Sequence, residues 1–159
     1  MQKYSYFASQ RLYKWPSLKL IEPYFLAPPG TEWFSHGKGA NDSGGFSLQG
    51  VDSTHDLPYG QGRVDINLNL WGCPGLGVLL IYEKIGGPDD FHFVSKGDLS
   101  RRGEYVRSTH DTPLPVAHFV PFAEAWEAVK EFMATEGQLP KSIEWVAGED
   151  LPDNTFPDP

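Results

Sequence analysis

Residues 64–94 read VDINLNLWGCPGLGVLLIYEKIGGPDDFHFV, and three successive patterns in them decide the fold. Val64, Ile66, Leu68 and Leu70 alternate with Asp65, Asn67 and Asn69. A period of two is that of a β-strand with one face on a core and the other toward water. Val78 to Tyr82 is then apolar without a break and partly β-branched, as suits a central strand covered on both faces. Residues 86–90, GGPDD, supply turn chemistry ahead of Phe91 and Phe93, which predicts a hairpin. Upstream, Phe46 and Leu48 alternate with Ser47 and Gln49 as a further half-wet strand.

Downstream the period changes. Phe122, Ala125, Trp126, Val129, Phe132 and Met133 recur at spacings of three and four, an apolar stripe with Glu124, Glu127, Lys130 and Glu131 opposite. This predicts an amphipathic helix over about residues 121–136, with Pro121 in its first turn, Gly137 at its C-terminal cap and Pro140 barring continuation. A stripe this wide packs on the domain's own sheet. Ile143, Trp145 and Ala147 then alternate with Ser142 and Glu144 as a last strand. Strands first and one long helix late, without strand-helix alternation, give an α+β class: an antiparallel sheet with one principal helix on one face.

The chain has 159 residues, room for one domain over residues 1–147 that needs neither disulfides nor metal for stability. Residues 1–45 are aromatic and interrupted by Pro16, Pro23, Pro28, Pro29 and Gly30, so short segments and loops are expected there. Residues 37–45, GKGANDSGG, read as an exposed loop; no helix-forming run follows them, so the phosphate-cradle reading of such glycines lacks its frame. Residues 148–159, GEDLPDNTFPDP, form an acidic, proline-rich tail too poor in apolar surface to order itself alone, with Phe156 as its one local pin.

The formal net charge is −8. That opposes direct contact with nucleic acid or an anionic membrane and suits a basic partner, although plain solubility accounts for it equally well. The N-terminus lacks the apolar stretch of a signal peptide and no long apolar run occurs, so a cytoplasmic protein is expected.

Catalytic signatures are sparse. No G-x-S-x-G occurs, and Cys73 in WGCPG reads as a passive turn thiol. His36, His55, His92, His110 and His118 show no close metal-ligand spacing. Ser53-Thr54-His55-Asp56-Leu57-Pro58 recurs as Ser108-Thr109-His110-Asp111-Thr112-Pro113. Asp beside His can orient an imidazole, so His55 with Asp56 and His110 with Asp111 define an alternative, a small hydrolase or metal-dependent enzyme; turn formation is the plainer reading. Lys96, Arg101, Arg102 and Arg107 are the only basic cluster, diluted by Asp98 and Glu104. Trp33 and Trp71, beside glycine-rich segments, are either surface anchors or caps on the core edge.

The segment PFAEAWEAVKEFMATEGQLPKSIEWV, with the strands GVLLIYEK and FHFVSKGD before it, resembles the immunity protein 1 family of bacterial polymorphic toxin systems over roughly residues 64–147. The helix falls on Ala125 to Phe132, the turn on Gly137 to Pro140 and the strand's closing tryptophan on Trp145. The resemblance implies a cytoplasmic, non-enzymatic antidote without a cofactor. It would bind a secreted toxin domain one to one, the usual toxins being nucleic-acid deaminases or nucleases. Trp126 and Trp145 are then scaffold, and the contacts fall to exposed loops and strands: Asp89, Asp90, Trp71, Glu149, Asp150 and Asp153. The free protein is expected to be a monomer or weak dimer.

Overall fold

The computed structural model describes residues 1–7, 10–26 and 43–159. Among them ten strands and two α-helices follow one another: β1 (Gln2–Phe7), β2 (Gln10–Leu12), α1 (Leu18–Leu26), β3 (Ser43–Val51), β4 (Val64–Cys73), β5 (Gly77–Ile85), β6 (Phe91–Ser95), β7 (Tyr105–Arg107), β8 (Pro113–Pro115), β9 (Phe119–Val120), α2 (Phe122–Ala134) and β10 (Trp145–Ala147). The main sheet runs β10-β6-β5-β4-β3-β1-β2, with β9 beside the start of β5, and every pairing is antiparallel. β7 and β8 form a separate hairpin. The class is α+β, with α2 as the principal helix.

The alternation in β4 does what its period requires. Val64, Ile66, Leu68 and Leu70 are buried on one face, joined there by Phe46 and Leu48 of β3 and by Val78, Leu80 and Tyr82 of β5. α2 covers that face with Ala125, Trp126, Ala128, Val129 and Phe132. Phe132 is fully buried between Trp15, Phe46 and Tyr82, with ring centroids 5.3, 6.2 and 6.2 Å away. An apolar side chain of this kind contributes about 1.5–3 kcal/mol by leaving water. α1 leans on α2 through Phe25, whose ring stacks on Trp126 at 5.3 Å. It is short for the reason the prolines give: Pro23, inside it, has no N–H to continue the ladder.

β5 is covered on both sides, as its unbroken apolar run predicts. Leu79 points away from α2 into a second cluster with Val94, Leu114 and Phe119, roofed by β8 and β9. This roof does not extend past β4. Among the described residues the outward side chains of Asn67 and Asn69 in β4, Ser47 and Gln49 in β3 and Tyr4 and Tyr6 in β1 are left half-buried to exposed.

Several boundaries differ from the sequence expectation. Ser43, Gly44 and Gly45 are strand residues of β3, not loop, while residues 37–42, like Trp33 and His36, lie outside the described residues. The N-terminal part is less irregular than its prolines suggest, because β1 pairs with β3 and extends the sheet. Pro121 is the N-cap of α2, one residue before its first turn. At the other end the left-handed residue is Glu136, φ 52°, followed by Gly137 at φ 98°, whose N–H donates to the Phe132 carbonyl at 2.9 Å. That is a Schellman closure with Glu136 at C′. Glu136 pairs with Lys3, 2.9 Å away, at the exposed surface, and Gly137 is required because a Cβ would overlap Leu48. Finally β10 begins at Trp145, and Ile143 packs on the core from the preceding loop.

Candidate functional site

Register brings three segments to one end of the sheet. β3 leaves it at Val51 and β4 enters at Val64, β5 leaves at Ile85 opposite Asp65, and β6 enters at Phe91 opposite Lys84. β10 runs antiparallel to β6 and leaves at Ala147, opposite Phe93. The 52–63 loop, the 86–90 turn and the Gly148–Asp150 turn are thus neighbours. The packing is direct: a Cβ on Gly86 would overlap the Arg63 carbonyl, and one on Gly148 the His92 ring.

Four of the six residues singled out from sequence collect here. Asp89 and Asp90 are exposed in the β5–β6 turn, where Asp90 Oδ1 accepts the Gly86 N–H at 2.8 Å. Glu149 and Asp150 are exposed just past β10. Among the described residues none of the four forms an ion pair, since the nearby cations are engaged elsewhere: Lys84 with Asp52 at 2.8 Å and Arg63 with Asp65 at 2.9 Å. The tail then runs back beneath the domain. Leu151 packs on the second core cluster and the Tyr105 hydroxyl donates to the Asn154 carbonyl, so these two contacts hold the tail while Phe156 stays exposed. Asp153 lies along this path, in a cleft with Arg102 and His118.

Trp71 lies toward the opposite end, paired with Ser43 and Leu79. It is half-buried and flanks a groove of about 280 Å³ on the sheet face away from α2, between Tyr4, Tyr6, Arg11, Asn67 and Asn69. The Arg11 guanidinium lies 4.9 Å over the Tyr4 ring. Tyrosine, tryptophan, arginine and asparagine without a carboxylate among the described lining is the composition of interface centres, whereas acids belong to their rims. The structure therefore separates Trp71 from the carboxylates with which it was grouped.

The two Ser-Thr-His-Asp segments share letters and not geometry. In the first, the Thr54 hydroxyl donates to the Val51 carbonyl at 2.6 Å and accepts the Val64 N–H at 2.9 Å, tying both ends of the β3–β4 loop. In the second it is Ser108 Oγ that accepts, from the N–H groups of His110 and Thr112, to close the β7–β8 turn. His55 and His110 are both exposed, His55 Nε2 lying 3.3 Å from Asp56. Each segment is a turn built by its hydroxyl residue. Among the described residues no group of three or more His, Cys, Asp or Glu side chains converges as metal ligands.

Arg101, Arg107 and Lys96 face Glu104, Asp111 and Glu144, so the basic cluster is largely neutralised. Cys73 is half-buried with its Sγ 3.7 Å from the Pro74 carbonyl. His118 is buried, its Nδ1 donating to the Ser95 carbonyl at 2.8 Å, and that burial pushes its pKa below the ordinary histidine range. Its Nε2 has no partner among the described residues. No helix among them is long and apolar enough to cross a membrane.

Sequence reasoning missed the most exposed aromatic at the acidic end, Tyr59, 70% exposed, and its neighbour Leu57, 43% exposed. The available signal was an aromatic placed in HDLPYGQG, a segment otherwise made of turn residues.

No curated protein matches the chain. A family match is found in its C-terminal part, beginning past β4 and spanning β5 to β10 with α2. Residues 75–147 match the family model described as Immunity protein Imm1, the immunity protein 1 family that the helix and tryptophan-ended strand resemble.

Proposed function

We propose that this chain is the cytoplasmic antidote of a cognate secreted toxin domain, binding it one to one and occluding its active site with no bond made or broken. The observation that carries the reading is the Imm1 match over residues 75–147, which supports an immunity role. The carboxylates of Asp89, Asp90, Glu149 and Asp150 supply the chemistry expected of it. Toxins that act on nucleic acid, deaminases or nucleases, need basic substrate clefts, and an unneutralised acidic end is complementary to such a cleft in charge. The exposed His55 and His110 turns give the alternative enzymatic reading no convergent group to work with. Titrating the product of the reading frame next to this gene, assayed for toxin activity on nucleic acid, with the purified protein tests the proposal. Toxin activity falls to zero at one equivalent if it holds. Activity undiminished at tenfold excess overturns it.

A further inference from the structure

Between β3 and β4 the chain spends residues 52–63 on a connection that a two-residue turn could make. Long connections of this kind are ordinarily mobile or functional. This one is fastened throughout. Thr54 bridges its two ends through its hydroxyl, Leu57 N–H donates to the Thr54 carbonyl at 3.0 Å, and Gln61 N–H donates to Pro58 at 3.0 Å. At its base the buried Asp65 accepts the Gly50 N–H and both nitrogens of an Arg63 fork. Asp52 and Ser53 hold left-handed backbones, φ 54° and 62°, that only a firmly determined loop sustains.

Yet the loop turns its largest apolar side chains outward. Tyr59 is 70% exposed with its ring gripped by the Arg63 guanidinium at 5.5 Å, and Leu57 is 43% exposed. A loop whose ordering cost is already met, offering a tyrosine and a leucine to solvent, is preorganised to bind. The surroundings state what it can bind. Asp56 is almost wholly exposed and, among the described residues, pairs with His55, while Asp89 and Asp90 stand in the adjoining turn. The cations within reach, Arg63 and Lys84, are held by Asp65 and Asp52. The occupant is therefore a positively charged, concave protein surface; phosphate backbones and anionic lipid would be repelled.

We propose that the 52–63 loop is the apolar anchor of this chain on its toxin, with Leu57 and Tyr59 seated in a depression of a basic cleft and the carboxylates of Asp56, Asp89 and Asp90 at the rim. This rests on the toxin-binding reading and goes beyond it by assigning the seat. The anchor lies outside the segment that matches the Imm1 family model, so it is a contact of this chain's own. The sheet-face groove at Trp71 is a separate surface.

The test is surface plasmon resonance with an immobilised toxin domain that the parent inhibits, against the parent, Leu57→Ala with Tyr59→Ala, and Tyr59→Phe. Urea midpoints are measured in parallel. The double alanine variant dissociates at least about 30-fold faster, since an anchoring aromatic is worth about 2 kcal/mol or more. Its association rate stays within about threefold of the parent and its urea midpoint is unchanged. Tyr59→Phe keeps the ring and stays near the parent. Amide exchange of the parent complex shows slowed exchange in residues 52–63. A double variant that dissociates at the parent's rate, or a complex without protection in this loop, overturns the anchor and leaves the immunity reading intact. A parent that does not bind that toxin domain overturns both.

Discussion

Arg63 grips Asp65 with two parallel hydrogen bonds, Nε to Oδ1 at 3.0 Å and Nη2 to Oδ2 at 2.9 Å. The carboxylate is buried on the face of β4 away from α2, and among the described residues its one other hydrogen-bond partner is the Gly50 N–H at 3.0 Å. One ion pair thus locks the base of the long β3–β4 loop to the sheet. Arg63→Met leaves that carboxylate without its counter-charge and is expected to lower stability, moderated because the guanidinium is partly exposed. Arg63→Met with Asp65→Leu removes the stranded charge and recovers part of the loss. Urea unfolding of the three proteins decides it. A single variant as stable as the parent would mean that the pair does not brace the loop.

Gly137 is expected to be the least replaceable glycine at the end of α2. Its φ of 98° strains any side chain, a Cβ would overlap Leu48, and its carbonyl accepts the Tyr82 hydroxyl at 2.7 Å. Burial pushes that hydroxyl's pKa up to about 12, so Tyr82 remains a donor across the ordinary pH range. Gly103 has a similar φ of 92° with nothing near its missing Cβ. Gly103→Ala should therefore cost the backbone strain alone, about 1–2 kcal/mol, and Gly137→Ala about 2–4 kcal/mol. Equal losses in thermal unfolding would remove the packing argument.

Most of the fold was legible because its signals are local. The period of two in Val64 to Leu70, the unbroken Val78 to Tyr82 and the stripe from Phe122 to Met133 each report which faces are covered, and the core follows them. The exceptions are places where distant residues decide. Glu136 takes the left-handed position beside a glycine because the missing Cβ is needed one residue further on, where Gly137 meets Leu48 of β3. Gly44 and Gly45 look like loop, yet a side chain at Gly44 would meet Phe7 and one at Gly45 the Leu68 carbonyl, so a strand needs glycine there. The candidate surface was legible only in its charge. That Glu149 and Asp150 join Asp89 and Asp90, while Trp71 stands at the other end, follows from pairing register, which composition does not encode.

His118 makes stability depend on acid. Burial holds its folded pKa below the unfolded value, so the unfolded chain binds the extra proton. Stability from this group is therefore complete above the unfolded pKa of about 6.5 and is lost as pH falls from there toward the folded value. One proton changes the unfolding free energy by at most about 1.4 kcal/mol per pH unit. Urea titrations from pH 7.5 to 5 should show the decline in the parent. His118→Gln, less stable at neutral pH, should show a flatter profile over the same range. An unchanged slope in the variant would transfer the effect to another group.

Association with the toxin should be fast because of charge and slow when that charge is removed. The net charge is −8, and Asp89, Asp90, Glu149 and Asp150 are gathered at one end without ion-pair partners among the described residues. Deleting the tail would confound the measurement, because Leu151 packs on the second core cluster. Isosteric neutralisation does not: Asp89→Asn, Asp90→Asn, Glu149→Gln and Asp150→Asn keep the side-chain volumes, and an asparagine at position 90 keeps an oxygen acceptor for the Gly86 N–H. Stopped-flow association is followed from about 50 to 500 mM salt, over which the Debye length shrinks from roughly 14 to 4 Å. In the parent the association rate should fall steeply with salt. In the fourfold variant it should start about tenfold lower at low salt and run nearly flat, while the dissociation rate changes less, since rim charges act mainly on encounter. A parent association rate indifferent to salt would remove steering from the mechanism and leave the apolar side chains to account for binding alone.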